Sequence, residues 1–452
     1  MSSFFYRNLK RSYPTVASAR GVWIEDVTGK KYLDGCSGAV VCNLGHGVRE
    51  INDAIVQQLS KIAYAHTSQF VSQSGLDLAE KLVNLAPQHF RRGARVYFTS
   101  GGSESVETAI KMARGYFVEK GEHDRQLCLS RWHSYHGSTL GALSLTGHPA
   151  RRRPYIPLLR TPTHINTDYK YRCKCHFAPG PCPSEECVRH RADELEEAIL
   201  LHGPDNVMAF VAEPIVGAAL GAAVPGETYW QRIREICTKY GVLLIVDEVM
   251  TGLGRTGKNF AINHWKVDPD IMTLGKGLSA GYVPLGAVLA AGHVVSAFEG
   301  TTGTFEHGFT YSGHPASCAA GLACLDYLAA HELVHGVAKR EAEFFRRAGE
   351  LAKYDFVGDV RGRGFMLGFE LVRDKETKEP FEPVLAVNQM VARQAAHDGL
   401  LIYPGGAFID GVRGDHFMLT PPFTITDDEM DQMFVLLDKT LAAVDQNLKV
   451  RA

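Results

Sequence analysis

Apolar residues recur along this chain in two alternating patterns. The first is a short, largely apolar run, seen at 96–98, in LCLSRW from Leu127, at 207–212 and, unbroken and rich in β-branched residues, in VLLIV at 242–246. Runs of that length and composition predict strands buried on both faces. The second places apolar residues three and four apart, as in Ile51, Ile55, Leu59 and Ile62. It predicts helices over 51–63 and 76–85, from Glu104 onward, and over 229–240. Strands alternating with helices imply an α/β fold with a mostly parallel sheet covered by helices on both faces. Toward the N-terminus, GVWIEDVTGKKYLDG predicts two short strands about a Thr28-Gly29 turn. Past Pro315 one long helix over 316–352 should lead to a C-terminal region. There GRGFMLGFELV and GLLIYPG read as strands, and Asp427 starts a final helix. The layout predicts an N-terminal arm over 1–50, a large domain over 51–325 and a smaller C-terminal domain over 326–452.

A chain of 452 residues is too long for one small core, which agrees with that division. With 45% hydrophobic and 22% charged residues the composition is that of an ordinary globular protein. A formal net charge of −2 gives no electrostatic case for nucleic acid or an anionic membrane as partner. The segment MSSFFYRNLKRSYP lacks the apolar core of a secretory signal. No apolar run approaches the roughly eighteen residues that a membrane span requires. Ten scattered cysteines fit thiols of a reducing cytoplasm. The exception is the Pro-rich stretch 171–190, read as irregular, which holds Cys173, Cys175, His176, Cys182, Cys187 and His190. Its spacing lacks the paired CxxC of common zinc sites, so free or partly paired thiols are the leading expectation and structural zinc the lesser one.

Candidate chemistry gathers at the predicted strand ends, where ligands bind in open α/β sheets. Asp247 and Glu248 follow VLLIV, Glu213 follows the run at 207–212, and Tyr135 follows LCLSRW. After the next apolar run comes Lys276 between Gly275 and Gly277, which suggests backbone room for a bulky group on the lysine nitrogen. A lysine and an acid at neighbouring strand ends suggest pyridoxal phosphate (PLP). The lysine would hold the aldehyde as a Schiff base and the acid would keep the pyridine nitrogen protonated. Ser100-Gly101-Gly102-Ser103 precedes a helix whose N-terminus can hold a phosphate. The same residues also have ordinary readings as helix caps and strand-end packing. A competing motif is GLGRTGK at 252–258, which matches a P-loop. It has Asn259 where a magnesium-binding Ser or Thr belongs, and no helix pattern follows it.

Six segments carry a family resemblance: SGGSES at 100–105, YHGST at 135–139, AEPI at 212–215, DEVMTGLGRTG at 247–257, LGKGLSAGY at 274–282 and HGFTYSGHP at 307–315. In this order and spacing the chain resembles the class III, or ω-type, PLP-dependent aminotransferases of fold type I. That resemblance implies a large domain with a mostly parallel seven-stranded sheet, plus a smaller α+β domain built from N- and C-terminal segments. It implies an aminotransferase moving an amino group from an amine or amino acid to an oxo acid such as pyruvate. Lys276 is then the Schiff-base lysine, Asp247 the partner of the pyridine nitrogen, and Glu213 an acid on the substrate side. Gly101, Gly102 and Ser103 would hold the phosphate, with Tyr135, His136 and Val249 around the ring. Thr310 would reach the phosphate of a neighbouring subunit, which implies a homodimer with shared active sites. Within the cofactor class an aminomutase or a decarboxylase is an alternative, and outside it a P-loop nucleotide-binding protein.

Two positions depart from the family pattern. Met250 stands where many members carry a glutamine, and Met418 where the ornithine-type branch has a carboxylate-binding arginine. The loop YPGGAFIDGVRGDH is more similar to the amine:pyruvate branch, which implies Arg413 as a mobile clamp for the oxo-acid carboxylate. Val40, Val41 and Tyr64 are placed by the same resemblance on the amino-donor side.

Overall fold

The structure is a computed structural model that describes residues 3–160, 163–173 and 184–451. Its centre is a seven-stranded sheet ordered Arg95–Thr99, Gly286–Ala290, Ile271–Leu274, Leu243–Asp247, Val207–Ala212, Leu127–Arg131 and Thr163–Ile165. Gly286–Ala290 runs antiparallel to both of its neighbours, while the pairs from Ile271–Leu274 to Thr163–Ile165 are parallel. Every residue of Val207–Ala212 and Leu243–Asp247 is buried, as the unbroken apolar runs require.

Alternation along a strand sends successive side chains to opposite faces. Leu243 and Ile245 join one core with Val106, Ala109 and Phe117 of the helix Gly102–Glu119. Leu244 and Val246 join the other core with Trp230, Ile233 and Ile236 of the helix Tyr229–Tyr240. Each large aliphatic side chain so buried contributes roughly 1.5–3 kcal/mol. These packed layers hold the carboxyl ends of the parallel strands along one edge.

The hairpin Trp23–Asp26 and Lys31–Asp34 turns where expected. The Asp26 carboxylate accepts from Thr28 N at 2.8 Å and Lys30 N at 3.2 Å, and Gly29 takes φ +82°. Lys31–Asp34 then pairs in parallel with Leu400–Leu401. Nearby, Lys30 Nζ donates to the His397 carbonyl across 367 residues of sequence. The C-terminal region adds an antiparallel sheet of Val357–Arg363, Met366–Leu371, Asp415–Leu419 and Tyr403–Gly406. Its helices are Leu333–Glu350, Val387–Asp398 and Asp427–Arg451.

Two local expectations are corrected. The helix expected over 316–352 is two helices, Pro315–Ala330 and Leu333–Glu350, because Glu332 adopts a left-handed φ of +49° that ends helical geometry. The Cys-rich stretch is not irregular throughout, since the helix Glu185–His202 begins inside it. Ser184 caps that helix by accepting from Cys187 N at 3.2 Å, and Glu185 and Glu186 complement its positive end. Cys173 is a free thiol and Cys187 is disulfide-bonded. Cys175, His176 and Cys182 lie outside the described residues. Among the described residues no group of His, Cys, Asp and Glu is placed to hold a metal ion, and no helix is long and apolar enough to cross a membrane.

Candidate active site

At the carboxyl edge of the sheet a cavity of about 160 Å³ is lined by Lys276, Asp247, Glu213, Gly102, Ser103 and Tyr135, together with His136, Val249 and Met250. Parallel strands bring these residues together although they span much of the sequence. Asp247 is the last residue of its strand, Glu213 directly follows the neighbouring one, and Gly102 opens a helix of 18 residues.

Asp247 is buried and held from three sides. His136 Nδ1 donates to its Oδ2 at 2.7 Å, while Val249 N and Thr273 Oγ1 donate to Oδ1 at 3.1 and 3.2 Å. The three donors fix the carboxylate's orientation. The His136 backbone N–H in turn donates to Thr146 Oγ1 at 2.9 Å, while its buried Nε2 has no hydrogen-bond partner among the described residues. Glu213 accepts from Tyr135 N at 3.2 Å and Gly217 N at 3.1 Å. Burial pushes its carboxyl above the ordinary range, with nearby Asp247 adding to the effect and His136 opposing it.

Lys276 opens a short turn, Lys276–Leu278, with φ +42°. Burial pulls its ammonium down to about 8, against the opposing pull of Asp247 and Glu213. The flanking glycines have a different reason from the one expected. A Cβ on Gly277 would lie 2.2 Å from Asn43 Nδ2, and one on Gly275 would lie 3.2 Å from Gly102 N. They let the lysine turn pack against its own protein rather than leaving room for a ligand. Asn43 Oδ1 also accepts from Arg255 Nη2 at 2.6 Å, and Arg255 donates to the carbonyls of Pro421 and Phe365 at 2.7 and 3.0 Å. Arg255 thus joins the lysine turn to the C-terminal region.

The helix start at Gly102 forms the far wall. A Cβ there would lie 2.7 Å from Val249 Cγ1, so only glycine fits. Ser103 Oγ accepts from Ser138 N at 3.1 Å. Gly101 takes φ 169°, an extended conformation open to any residue. Tyr135 Oη lies 3.1 Å from Ser138 Oγ.

The other expected residues do not line this cavity. Val40 is 1% exposed. Tyr64 and Thr310 are exposed and meet each other, Tyr64 Oη donating to the Thr310 carbonyl at 2.7 Å. Arg413 is paired with Asp410, Nε to Oδ2 at 2.7 Å, with its side chain 45% exposed. Asn43, Thr146 and Thr273 were not anticipated. Thr273 alone leaves a sequence signal, being the polar residue in the otherwise apolar strand Ile271–Leu274. The P-loop alternative does not survive: residues 252–258 form turns with Gly254 and Gly257 at φ +99° and +81°, followed only by the short turn Ala261–His264.

Comparison with known proteins agrees with this geometry. The family described as aminotransferase class-III matches residues 6–441. An uncharacterized aminotransferase, YodT, of Bacillus subtilis (strain 168) is 41% identical over 99% of this chain and 100% of its own length. A putrescine–pyruvate aminotransferase of Pseudomonas aeruginosa is 34% identical over 95% of this chain and 91% of its own. The crystal structure of an amine transaminase from an uncultivated Pseudomonas species, in its PLP-bound form, superposes with a TM-score of 0.91. It is 36% identical and covers 98% of this chain and 99% of that one. These relatives are aminotransferases by name, which favours amino transfer over an aminomutase or a decarboxylase. A buried acid, a lysine of lowered basicity and a glycine-opened helix around one cavity fit the cofactor of that family, and the chain belongs to the class III aminotransferases, PLP-dependent enzymes that transfer an amino group to an oxo acid.

Proposed function

We propose that this chain is an ω-type aminotransferase acting between an amine and a small oxo acid such as pyruvate, with Lys276 as its catalytic base. The observation that carries this reading is the convergence of Lys276, Asp247, Glu213 and the Gly102 helix start on one cavity. PLP, when bound, supplies an electron sink that makes the substrate's amine-bearing carbon acidic. Asp247, oriented by His136, would pair with the pyridine nitrogen and hold its proton. Gly101, Gly102 and Ser103 present backbone N–H groups and a hydroxyl to the phosphate at the positive end of the helix. Tyr135 and Val249, both lining the cavity, would cover the ring. Lys276 would hold the cofactor through its Nζ and, once free, would serve as the base that takes the proton from the substrate carbon and as the acid that gives it back to the cofactor carbon bearing the amine nitrogen. Glu213 lies toward the substrate.

Lowered basicity is what equips Lys276 for this role. With its ammonium at about 8 rather than 10.5, roughly one molecule in ten carries a neutral amine at pH 7. The rate at which apoenzyme takes up PLP should therefore rise about tenfold per pH unit below about 8 and level off above it. Stopped-flow absorbance across that range measures it. A rate flat from acid to alkaline pH would show that Lys276 deprotonation does not limit uptake.

For the oxo acid we propose Arg413 as a clamp that swings from Asp410 to the substrate carboxylate and stays away for an apolar amine. Its half-exposed position on a glycine-rich loop supports that mobility, since a fixed buried arginine would be left unpaired by an uncharged substituent. The name of the putrescine–pyruvate relative supports pyruvate as acceptor. Arg413→Ala should raise KM for pyruvate at least about tenfold, the loss of a charge-assisted pair worth roughly 1.5–3 kcal/mol. KM for an amine without a carboxylate should hardly change. Equal effects in the two half-reactions would refute the clamp.

We further propose a homodimer in which Thr310 completes the partner's phosphate site, with Val40, Val41 and Tyr64 on the donor side. Supporting this, Tyr64 and Thr310 sit amid exposed apolar side chains, among them Ile62, Phe70, Val71 and Tyr311, the last against the Tyr64 ring. Pairing of Lys31–Asp34 with Leu400–Leu401 supports a small domain shared by both ends of the chain. The helix Pro315–Ala330 spans the proposed boundary at residue 325 and would link this domain to the large one. Free thiols at Cys36, Cys128, Cys237, Cys318 and Cys324 support a cytoplasmic setting.

A further inference from the structure

A cavity of about 510 Å³ shares no lining residue with the Lys276 site. One wall is Tyr169, Lys170 and Tyr171, at the turn Lys170–Arg172; the opposite wall is the strand Val357–Arg363. Val224 and Phe345 add apolar surface.

Its charge is unbalanced. Lys170, Arg361, Arg363 and Lys378 line it against two carboxylates, Glu227 and Asp359. Both carboxylates are already engaged: Asp359 accepts from Arg361 Nη1 at 2.8 Å, and Glu227 lies 3.7 Å from Arg363. Lys378 Nζ donates to the Tyr171 carbonyl at 2.7 Å and stands 4.7 Å from the centre of the Tyr171 ring, with donor capacity remaining. Lys170 is exposed. Immediately behind the walls, the Tyr169 and Tyr171 hydroxyls and Arg361 Nε are buried without hydrogen-bond partners among the described residues.

We propose that this cavity binds a small organic anion carrying two or more carboxylate or phosphate groups, at a site separate from catalysis. Two positive charges in excess, on walls that also carry aromatic and apolar surface, select for such a ligand over a cation or a neutral molecule. Nothing in the chemistry of amino transfer requires these residues, so their convergence is not accounted for by the catalytic site.

The test is calorimetric titration of the holoenzyme with citrate and, separately, with pyrophosphate, at constant ionic strength. Holoenzyme reduced with borohydride, in which the cofactor is fixed to the protein, is titrated alongside. At least one of the two anions should bind saturably, once per chain, in both preparations; which one does so separates carboxylate from phosphate recognition. Arg363→Gln, Lys378→Gln and the exposed Lys170→Gln should each weaken it, at least one of them by about tenfold or more. No saturable binding of either anion overturns the proposal. So does binding that all three variants leave unchanged, or binding confined to the unreduced enzyme.

Discussion

Replacing Lys276 with alanine is expected to leave a folded protein that no longer turns over. The backbone argues for folding: Lys276 sits at φ +42°, a conformation that costs alanine no more than lysine. The packing that holds the turn belongs to Gly275 and Gly277, which the substitution leaves in place. What disappears is the only lysine lining the cavity among the described residues. Loss of a positioned general base alone costs typically 10²–10⁴-fold, and loss of the covalent anchor adds to it. The measurements are steady-state turnover and the visible absorbance of the bound cofactor, with circular dichroism as the check on folding. In the wild type that absorbance should vanish on borohydride reduction with the cofactor left attached. In the variant the cofactor should wash out. Activity within tenfold of wild type in a folded variant would remove Lys276 from the mechanism.

The second large effect is expected from Asp247→Asn. Shape is kept, and the oxygen of the new amide can still accept from Val249 N, so the cavity should persist. The charge is lost. His136 Nδ1 then faces a neutral amide where it faced a carboxylate at 2.7 Å, and the anion that would hold a proton on the pyridine nitrogen is gone. Each unit by which that nitrogen's pKa falls weakens the electron sink by about 1.4 kcal/mol, a factor of ten. Two to three units, a loss of roughly 10²–10³-fold in rate, is the expected range. Cofactor content should stay near one per chain, measured after release in alkali. A rate within tenfold, with cofactor bound, would show that Asp247 is not the ring partner.

Both residues were legible from the sequence for one physical reason. Strands buried on both faces must be written as unbroken apolar runs, so the first charged residue after each run marks the sheet edge. Asp247 and Glu213 stand at such points, and the glycine-opened helix at Gly102 was marked by its own composition. Other features are written only in contacts between distant segments. The fit of Gly277 against Asn43, and the bond from Asn43 to Arg255 across 212 residues, leave no local pattern. The antiparallel direction of Gly286–Ala290 is likewise invisible in its own five residues. The break at Glu332 is hidden in sequence because helical spacing continues on both sides of a single left-handed residue. The helix within the Cys-rich stretch is hidden in sequence because prolines and cysteines surround its cap at Ser184.

The strand Lys31–Asp34 lies beside Leu400–Leu401, and that neighbour has a consequence for the order of events during synthesis. The N-terminal strands leave the ribosome long before their partner strand has been translated. The seven-stranded sheet, all of whose members lie between Arg95 and Ala290, can close while the C-terminal region is still being made. The N-terminal sheet of Val16–Arg20, Trp23–Asp26 and Lys31–Asp34 has only its own three strands to pair in that interval and lacks the neighbour Leu400–Leu401. Its apolar side chains, Leu33 and Val22 among them, therefore stay uncovered until the C-terminal region arrives. A truncation at either end would leave the other end unpartnered, so aggregation during expression should be a symptom of damage to either terminus, however far it lies from the lysine.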